Sequence, residues 1–485
     1  MQISIGVLVL LFIIVLFIHN MSLTPKENNM PLSKFESMLK TNNVYFFDSV
    51  EFEEIIHFYL DSGKNSLAKK AIKLGLKQHP NSVILKLLKA EVLIFDGDLE
   101  KASILLKEIH AIEPTNDEVY IHQATIFSKK DDHQSAIKLL KIALSFADEK
   151  ADILSMIGME YLFLDDFDEA RMSFVKCLEV DYEDYSSLYN VIYCFDMENK
   201  HMEAIDYLNE YIDKDPYSEV AWHQLGRQYF VLENYEEALR AFDYAVLIDE
   251  YFVGGYLEKA KTLEKLNNFE EAIENYKITI ELDDPTSFAF LRIGECYEKL
   301  NLHSLSIQYY KKAVHEDPLL DKAWIAITNL KIDQKKYRKA LYTINRALEI
   351  DEQNALYWRK YAQVNLKLNF YEEAAKAFYK CIELQDINIE VYIGLCDVLC
   401  FIGDYEDALE ALLNAKTFYY DFAEIEYRLC GLYFKFKNVE KGKAHLKQAL
   451  AIDFEYQSVL KELFFEVYNI EEVQQIINNF KDSSI

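Results

Sequence analysis

The chain has 485 residues, too many for one ordinary compact core, so it must comprise several domains or a repeat array. Only 13 glycines and 7 prolines occur, half the residues are hydrophobic and 14% are aromatic, which disfavours turn-rich β architectures and disorder and leaves helix as the expectation. The formal charge of −29 repels phosphate backbones, and no run of Lys/Arg suits a nucleic acid, so nucleic acid is excluded as a partner and the charge reads as solubility of an elongated protein.

Residues 1–20 form an apolar N-terminal segment in which Ile3 to Ile18 carries no charge. Sixteen helical residues span roughly 24 Å, short of the roughly 30 Å hydrocarbon core of a bilayer. One reading is a membrane anchor through residues 3–18, with Lys26, Lys34 and Lys40 holding the rest on the cytoplasmic side. A second is an overextended reading frame with translation starting at Met21 or Met30, which gives a soluble cytoplasmic protein. A cleaved export signal is disfavoured, because no basic n-region or small-residue cleavage site is present. The seven cysteines are odd in number and include no C-x-x-C pair, so a reducing, cytoplasmic setting is expected. Residues 21–48 read as a linker and N-terminal cap helix, with Phe35, Met38 and Leu39 on one face of 32–40.

From residue 49 onward the chain repeats itself every 34 residues. Twelve units fill 49–456 (49–82, 83–116, 117–150, 151–184, 185–218, 219–252, 253–286, 287–320, 321–354, 355–388, 389–422 and 423–456). Position 20 of each is small, running from Ala68 through Ala238 and Ser306 to Gly442; position 24 is large, running from Ile72 through Phe242 and Tyr310 to Leu446. Small residues at 8 and 20 allow two antiparallel helices to approach, and large ones at 4, 7, 11 and 24 fill the space between them. All three tryptophans, Trp222, Trp324 and Trp358, fall at position 4. Pro80, Pro114, Pro216 and Pro318 stand at position 32, where a new helix must begin; Asp148, Glu250, Asp284, Glu352 and Asp386 stand there elsewhere, with Pro285 one residue late. Lys89, Gln123 and Lys259 depart from the pattern at position 7, and the bulky Ile56 and Ile192 depart at position 8.

The stretch 221–245, with Trp222, Leu225, Gly226, Tyr229, Tyr235, Ala238, Phe242 and Ala245 at positions 4, 7, 8, 11, 17, 20, 24 and 27, resembles the tetratricopeptide repeat (TPR). The resemblance implies an all-α fold, an α-solenoid in which antiparallel helix pairs wind into a right-handed superhelix. It also implies a protein-binding role through the first helix of each unit, chiefly at positions 2, 5, 9, 12 and 13. In units four to six those positions hold Met159, Leu162, Phe163, Tyr189, Tyr193, Met197, His223, Arg227 and Phe230, residue types enriched at binding hot spots. Units seven and eight place there Leu257, Lys261, Glu264, Lys265, Glu295, Glu298 and Lys299, a charged stretch that would set register. The clamp that some TPR proteins use for a chaperone's C-terminal carboxylate is absent. Asn329 is the one Asn at position 9, but Ile325 replaces the lysine of its unit, and Glu390 stands where a further lysine is required.

Residues 457–485 read as two capping helices, with Leu460, Leu463, Phe464 and Val467 in the first and Val473, Ile476, Ile477 and Phe480 in the second. No metal, cofactor or catalytic motif is found: Gly63-Lys64 and Asp96-Gly97-Asp98 are interhelical turns, and the histidines lack ligand spacing. The expectation is a scaffold or adaptor that is no enzyme and binds another protein in its groove. The alternatives are a membrane-tethered assembly platform and a non-catalytic subunit of an enzyme complex.

Overall fold

The computed structural model describes residues 30–41, 45–283 and 286–483, and every regular element among them is a helix. The first helices of the units begin at Ser49, Val83, Asp117, Ala151, Tyr185, Glu219, Val253, Ser287, Asp321, Ala355, Ile389 and Ala423, each 34 residues after the last. The second helices begin sixteen residues later, from Asn65 to Val439. The fold is an all-α helical repeat solenoid. Its chain divides into two compact bodies, one ending at Glu250 and one beginning at Tyr251, with six helix pairs in each.

Local chemistry sets these boundaries. Position 34 supplies the N-cap of the next first helix: the side chains of Ser82, Asn116, Asp184, Ser218, Thr286, Asn354 and Asn388 accept from its free N–H groups. Asp48 does so for the first unit in a capping box with Glu51. Between the two helices, position 15 adopts the left-handed conformation in all twelve units, as Gly63, Gly97 and Gly403 and as nine residues with a side chain, among them Asp131, Asn199, Glu233 and Lys335. Four of the nine are Asn and two are Asp, the types that tolerate this region best.

The position-4 tryptophans and the position-32 loops turn out to be one device. The indole nitrogens of Trp222 and Trp324 donate to the carbonyls of Pro216 and Pro318 at 3.0 Å, and that of Trp358 to the Glu352 carbonyl at 2.8 Å. Tyr120 does the same toward Pro114. Each aromatic therefore buries its ring between helices and uses its polar tip to fix the loop entering its own helix. In the last unit position 4 is Glu426, which is fully buried and receives Lys416 Nζ and His445 Nδ1, each at 2.6 Å. Burial works to raise its carboxyl, but those two partners hold it below the usual range.

Inside each unit, positions 8 and 24 exchange volume. A Cβ added to Gly226 would lie 2.6 Å from the Phe242 ring, one added to Gly158 2.7 Å from Phe174, and one added to Gly294 2.5 Å from Tyr310. Where position 8 is Ile56 or Ile192, position 24 is Ile72 or Leu208, and all four side chains are buried in their cores. The bulky residues at position 8 are thus accommodated by smaller partners. The helices of the fifth unit, which contains Ile192, approach each other least closely of the twelve pairs.

The polar departures at position 7 are met differently, by exposure: Lys89 is open to solvent, while Gln123 and Lys259 are half-buried. At the N-terminus a helix spans Met30–Thr41, with Phe35 and Met38 buried against Phe47, Phe52 and Tyr59. Leu39, expected on that buried face, is instead exposed. At the C-terminus the expected first capping helix is broken into Ser458–Leu463 and Phe465–Tyr468. Phe464 leaves helical geometry and wedges against the Cβ-less Gly431, while Leu463 points outward. The final helix spans Glu471–Ser483 and buries Val473 and Ile477.

Among the described residues no helix is long and apolar enough to cross a membrane; the apolar segment 3–18, Met21, Asp284 and Pro285 lie outside them. Six of the seven free cysteines are buried, and burial pushes the thiols of Cys177, Cys194, Cys296, Cys381 and Cys430 up to about 12, so these behave as small apolar residues.

The volume exchange yields a test. Gly226→Ile should destabilise the sixth helix pair by about 3 kcal/mol through overpacking against Phe242, and adding Phe242→Leu should recover most of that loss. Hydrogen exchange at the amides of this pair is the readout, because a repeat array need not unfold in one step. An uncorrected loss in the double variant would contradict the account.

Candidate groove on the first helices

The regular start of each first helix aligns positions 2, 5, 9, 12 and 13 of successive units, so the residues singled out from the sequence come from equivalent points of neighbouring helices. In the first body they fall into two kinds. Tyr189, Met197 and Arg227 are exposed, whereas Met159, Phe163, Tyr193 and Phe230 are half-buried.

Several are already engaged. Phe163 stacks on the His133 ring, with centroids 4.9 Å apart, and His133 Nδ1 lies 2.8 Å from the Glu160 carboxylate. Met159 packs against the core of the fourth and fifth pairs and faces the Asn190 amide. His223 is buried, stacked obliquely on Phe242, which removes it from the surface at which a partner could meet it. Phe230 rests edge-on against Tyr235 at 5.3 Å. These residues shape the wall, and their free edges are limited.

Tyr189 and Arg227 are different. Arg227 Nη1 donates to Gln224 Oε1 at 3.3 Å, and Gln224 and Arg227 both come near the Tyr189 phenol. Partial burial raises that phenol's pKa, and the Gln224 amide and Arg227 charge pull the other way. Six of the chain's eight arginines sit in ion pairs: Arg171, Arg240, Arg292, Arg346, Arg359 and Arg428. Arg227 is exposed and has no carboxylate partner among the described residues, so its guanidinium fork is available. Tyr193, one unit earlier at the same position 9, lies half-buried, its phenol raised first by burial and then by the charges of Cys194 and Asp165.

In the second body, most of the charges expected to set register are consumed internally. Glu264 receives Arg292 Nε at 3.1 Å and the Tyr276 hydroxyl at 2.6 Å, and Glu298 receives the Tyr310 hydroxyl at 2.7 Å. Lys261 pairs with Glu258 at 2.8 Å and lies over the Phe288 ring. Lys265 is exposed.

In the first three units the groove positions are more often apolar than charged but include four acids that the hot-spot residue types do not mark, Glu53, Asp61, Glu91 and Glu118, with His57 among them. Glu91 and Glu118 reach the surface, yet surrounding protein desolvates them and raises both carboxyls. Asp61 adds to the rise at Glu91, and Asp117, Glu53 and Glu91 add to it at Glu118, while His57 opposes it at both. Position-by-position tabulation across all twelve units would have exposed the pattern.

Residues 54–184 match a family model described as the N-terminal TPR repeats region of Psidin, and residues 155–219 and 257–320 match a tetratricopeptide repeat model. Among solved structures, MamA is 24% identical over 33% of this chain and 95% of its own, with a TM-score of 0.31. YrrB, described as a TPR protein with an unusual peptide-binding site, is 16% identical over 38% of this chain and 95% of its own, with a TM-score of 0.33. The C-terminal part of a TPR repeat-containing protein from Cytophaga hutchinsonii is 16% identical over 50% of this chain and 99% of its own, with a TM-score of 0.40. No curated protein matches.

The raised carboxyls carry a stability prediction. A carboxyl whose folded pKa lies above its unfolded value binds protons more tightly when folded, so it costs stability near neutrality and that cost fades as pH falls. Glu91→Gln and Glu118→Gln should each raise the thermal midpoint at pH 7, modestly because water screens both groups, and the gain should vanish as pH falls through the carboxylate range. A gain that persists at pH 3 would point to a cause other than ionisation.

Proposed function

This chain is a tetratricopeptide repeat protein, and from that premise we propose that it is a protein-interaction scaffold whose first helices in units four to six receive a peptide or helix of a partner protein. The observation that carries the reading is Arg227, exposed and free of a carboxylate partner among the described residues beside the Tyr189 ring, when the chain pairs most of its other arginines. Arginine and tyrosine together offer a planar fork and an amphipathic ring, the combination that dominates binding energy at protein interfaces. Met197 and Phe230 add apolar surface toward the C-terminal ends of the same two helices, and Tyr193 occupies the place equivalent to Arg227 one unit earlier. Lys261 and Lys265 belong to the same set of groove positions in the second body. The reading assigns no catalytic step to this chain; any enzymatic activity belongs to a partner.

Affinity capture with the full-length chain tests this. Tyr193→Ala and Arg227→Glu should each lose the same subset of partners that the parent retains, by about tenfold or more if the site is a hot spot. Identical partner sets for parent and variants would remove the groove assignment, and turnover by the purified chain alone would remove the non-catalytic one.

The uncharged stretch Ile3–Ile18 favours a second reading, in which an N-terminal anchor presents the array at a membrane surface. Under it, the native protein fractionates with membranes and its N-terminal peptide begins at Met1. Recovery in the soluble fraction with a peptide beginning at Met21 or Met30 would dismiss it.

A further inference from the structure

Residues 62–90 contain seven lysines and no carboxylate, in a chain whose formal charge is −29. Three of them, Lys69, Lys73 and Lys77, recur at i, i+4 and i+8 along one face of the helix Asn65–Gln78. That face and Lys89 of the helix Val83–Phe95 border an open cleft of about 410 Å³ in the seam between the first two units. Its floor is apolar, made by Ile72, Leu76, Val92 and Leu93. At one end Lys69 is tied to Asp96 at 2.7 Å. Lys73, Lys77 and Lys89 are exposed and have no carboxylate partner among the described residues.

The cleft has a cause in the sequence. Position 21 holds an aliphatic side chain in most second helices, as in Ile137, Ile205, Leu239, Ile273, Ile307 and Leu341, and position 7 is apolar in most first helices. In this seam the two positions are Lys69 and Lys89. An ammonium group cannot be buried between helices without a partner, so both side chains turn to solvent and leave Leu76 and Leu93 half-exposed over the buried Ile72 and Val92.

The geometry points to a docking cleft for an extended acidic segment of a partner protein, in which carboxylates alternate with apolar side chains. Lysines four apart on a helix recur about every 6 Å, and alternate residues of an extended chain recur about every 6.6 Å, so successive carboxylates meet successive ammonium groups. The intervening side chains of such a segment point the other way, onto the apolar floor. A single anionic headgroup would engage one lysine and leave the others unsatisfied. The acidic remainder of the chain does not forbid this, because its field is screened over about 8 Å at physiological salt while the lysines lie at the cleft itself. This surface is separate from the groove positions of the first helices, and its occupant does not depend on theirs.

The experiment uses the full-length chain and a fluorescein-labelled peptide, Gly-Glu-Leu-Glu-Leu-Glu-Gly, read by anisotropy. Binding should weaken by about tenfold or more in the Lys73→Glu, Lys77→Glu, Lys89→Glu triple variant, and also in the corresponding Gln triple variant, with the helical circular dichroism of both unchanged. It should weaken to a similar extent when the peptide's Glu residues become Gln or its Leu residues become Ser, and it should decline with added salt. Tyr193→Ala and Arg227→Glu should leave it unaltered. Equal binding to parent and triple variants overturns the proposal, as does equal binding of the Ser-substituted peptide, which would reduce the cleft to a nonspecific charge. Displacement by dodecanoate of a fluorescent fatty-acid probe, with no peptide binding, would assign the cleft to a lipid and overturn it too. Self-association of the parent that the triple variant loses, with no peptide binding, would assign it to a second copy of this chain, again against the proposal.

Discussion

The arrangement depends on a single close approach, that of position 8 on a first helix to position 24 on its second. When position 8 has no Cβ, as at Gly158, Gly226 and Gly294, an aromatic ring occupies the space and the helices lie near each other. The other regular features follow from that contact: position 20 is buried in all twelve units beneath the large side chain at position 24, an aromatic ring in five units and Ile or Leu in the other seven. The left-handed residue at position 15 then returns the chain through a turn short enough to keep the two helices in contact. Tertiary packing, more than helix propensity, holds helices of 12 to 14 residues in place, since isolated ones of that length are marginal in water.

Much of this was legible because a repeat presents the same physical problem twelve times. Small residues at position 20 and large ones at 24 need no alignment of homologues when the chain supplies its own comparisons. What stayed hidden were contacts made by side-chain tips. Trp222 and Pro216 were each recognisable as markers, but that the indole donates to the proline carbonyl depends on a rotamer and a loop path that periodicity does not encode. The break at Phe464 is similar: its helical spacing is sound, and only the bare surface of Gly431 explains why the ring leaves the helix.

The groove was legible in position but not in availability. Tyr189 and His223 both stand at position 5 of their helices, yet His223 turns inward over Phe242 while Tyr189 stays exposed. Glu264 and Glu298 looked like solvent-facing charges and instead serve the hydroxyls of Tyr276 and Tyr310 twelve residues on. The lysine-rich segment escaped because a search for consecutive basic residues misses charges spaced by helical turns; the informative signal was the absence of any carboxylate from 62 to 90.

The volume exchange between positions 8 and 24 is settled within one unit, so each helix pair carries the lock and key of its own core. A duplication or loss of 34 residues in frame therefore leaves rings such as Phe174, Phe242 and Tyr310 with their own space, whereas Phe378 also draws on Gly394 of the next unit. What such an event must re-form lies only at the junctions: the position-4 aromatic reaching back to the preceding loop, and links such as His133 to Glu160 reaching forward. The length of the array is thus a quantity that whole-unit changes can alter at small structural cost, whereas an insertion of another size within a helix shifts positions 8 and 24 out of register.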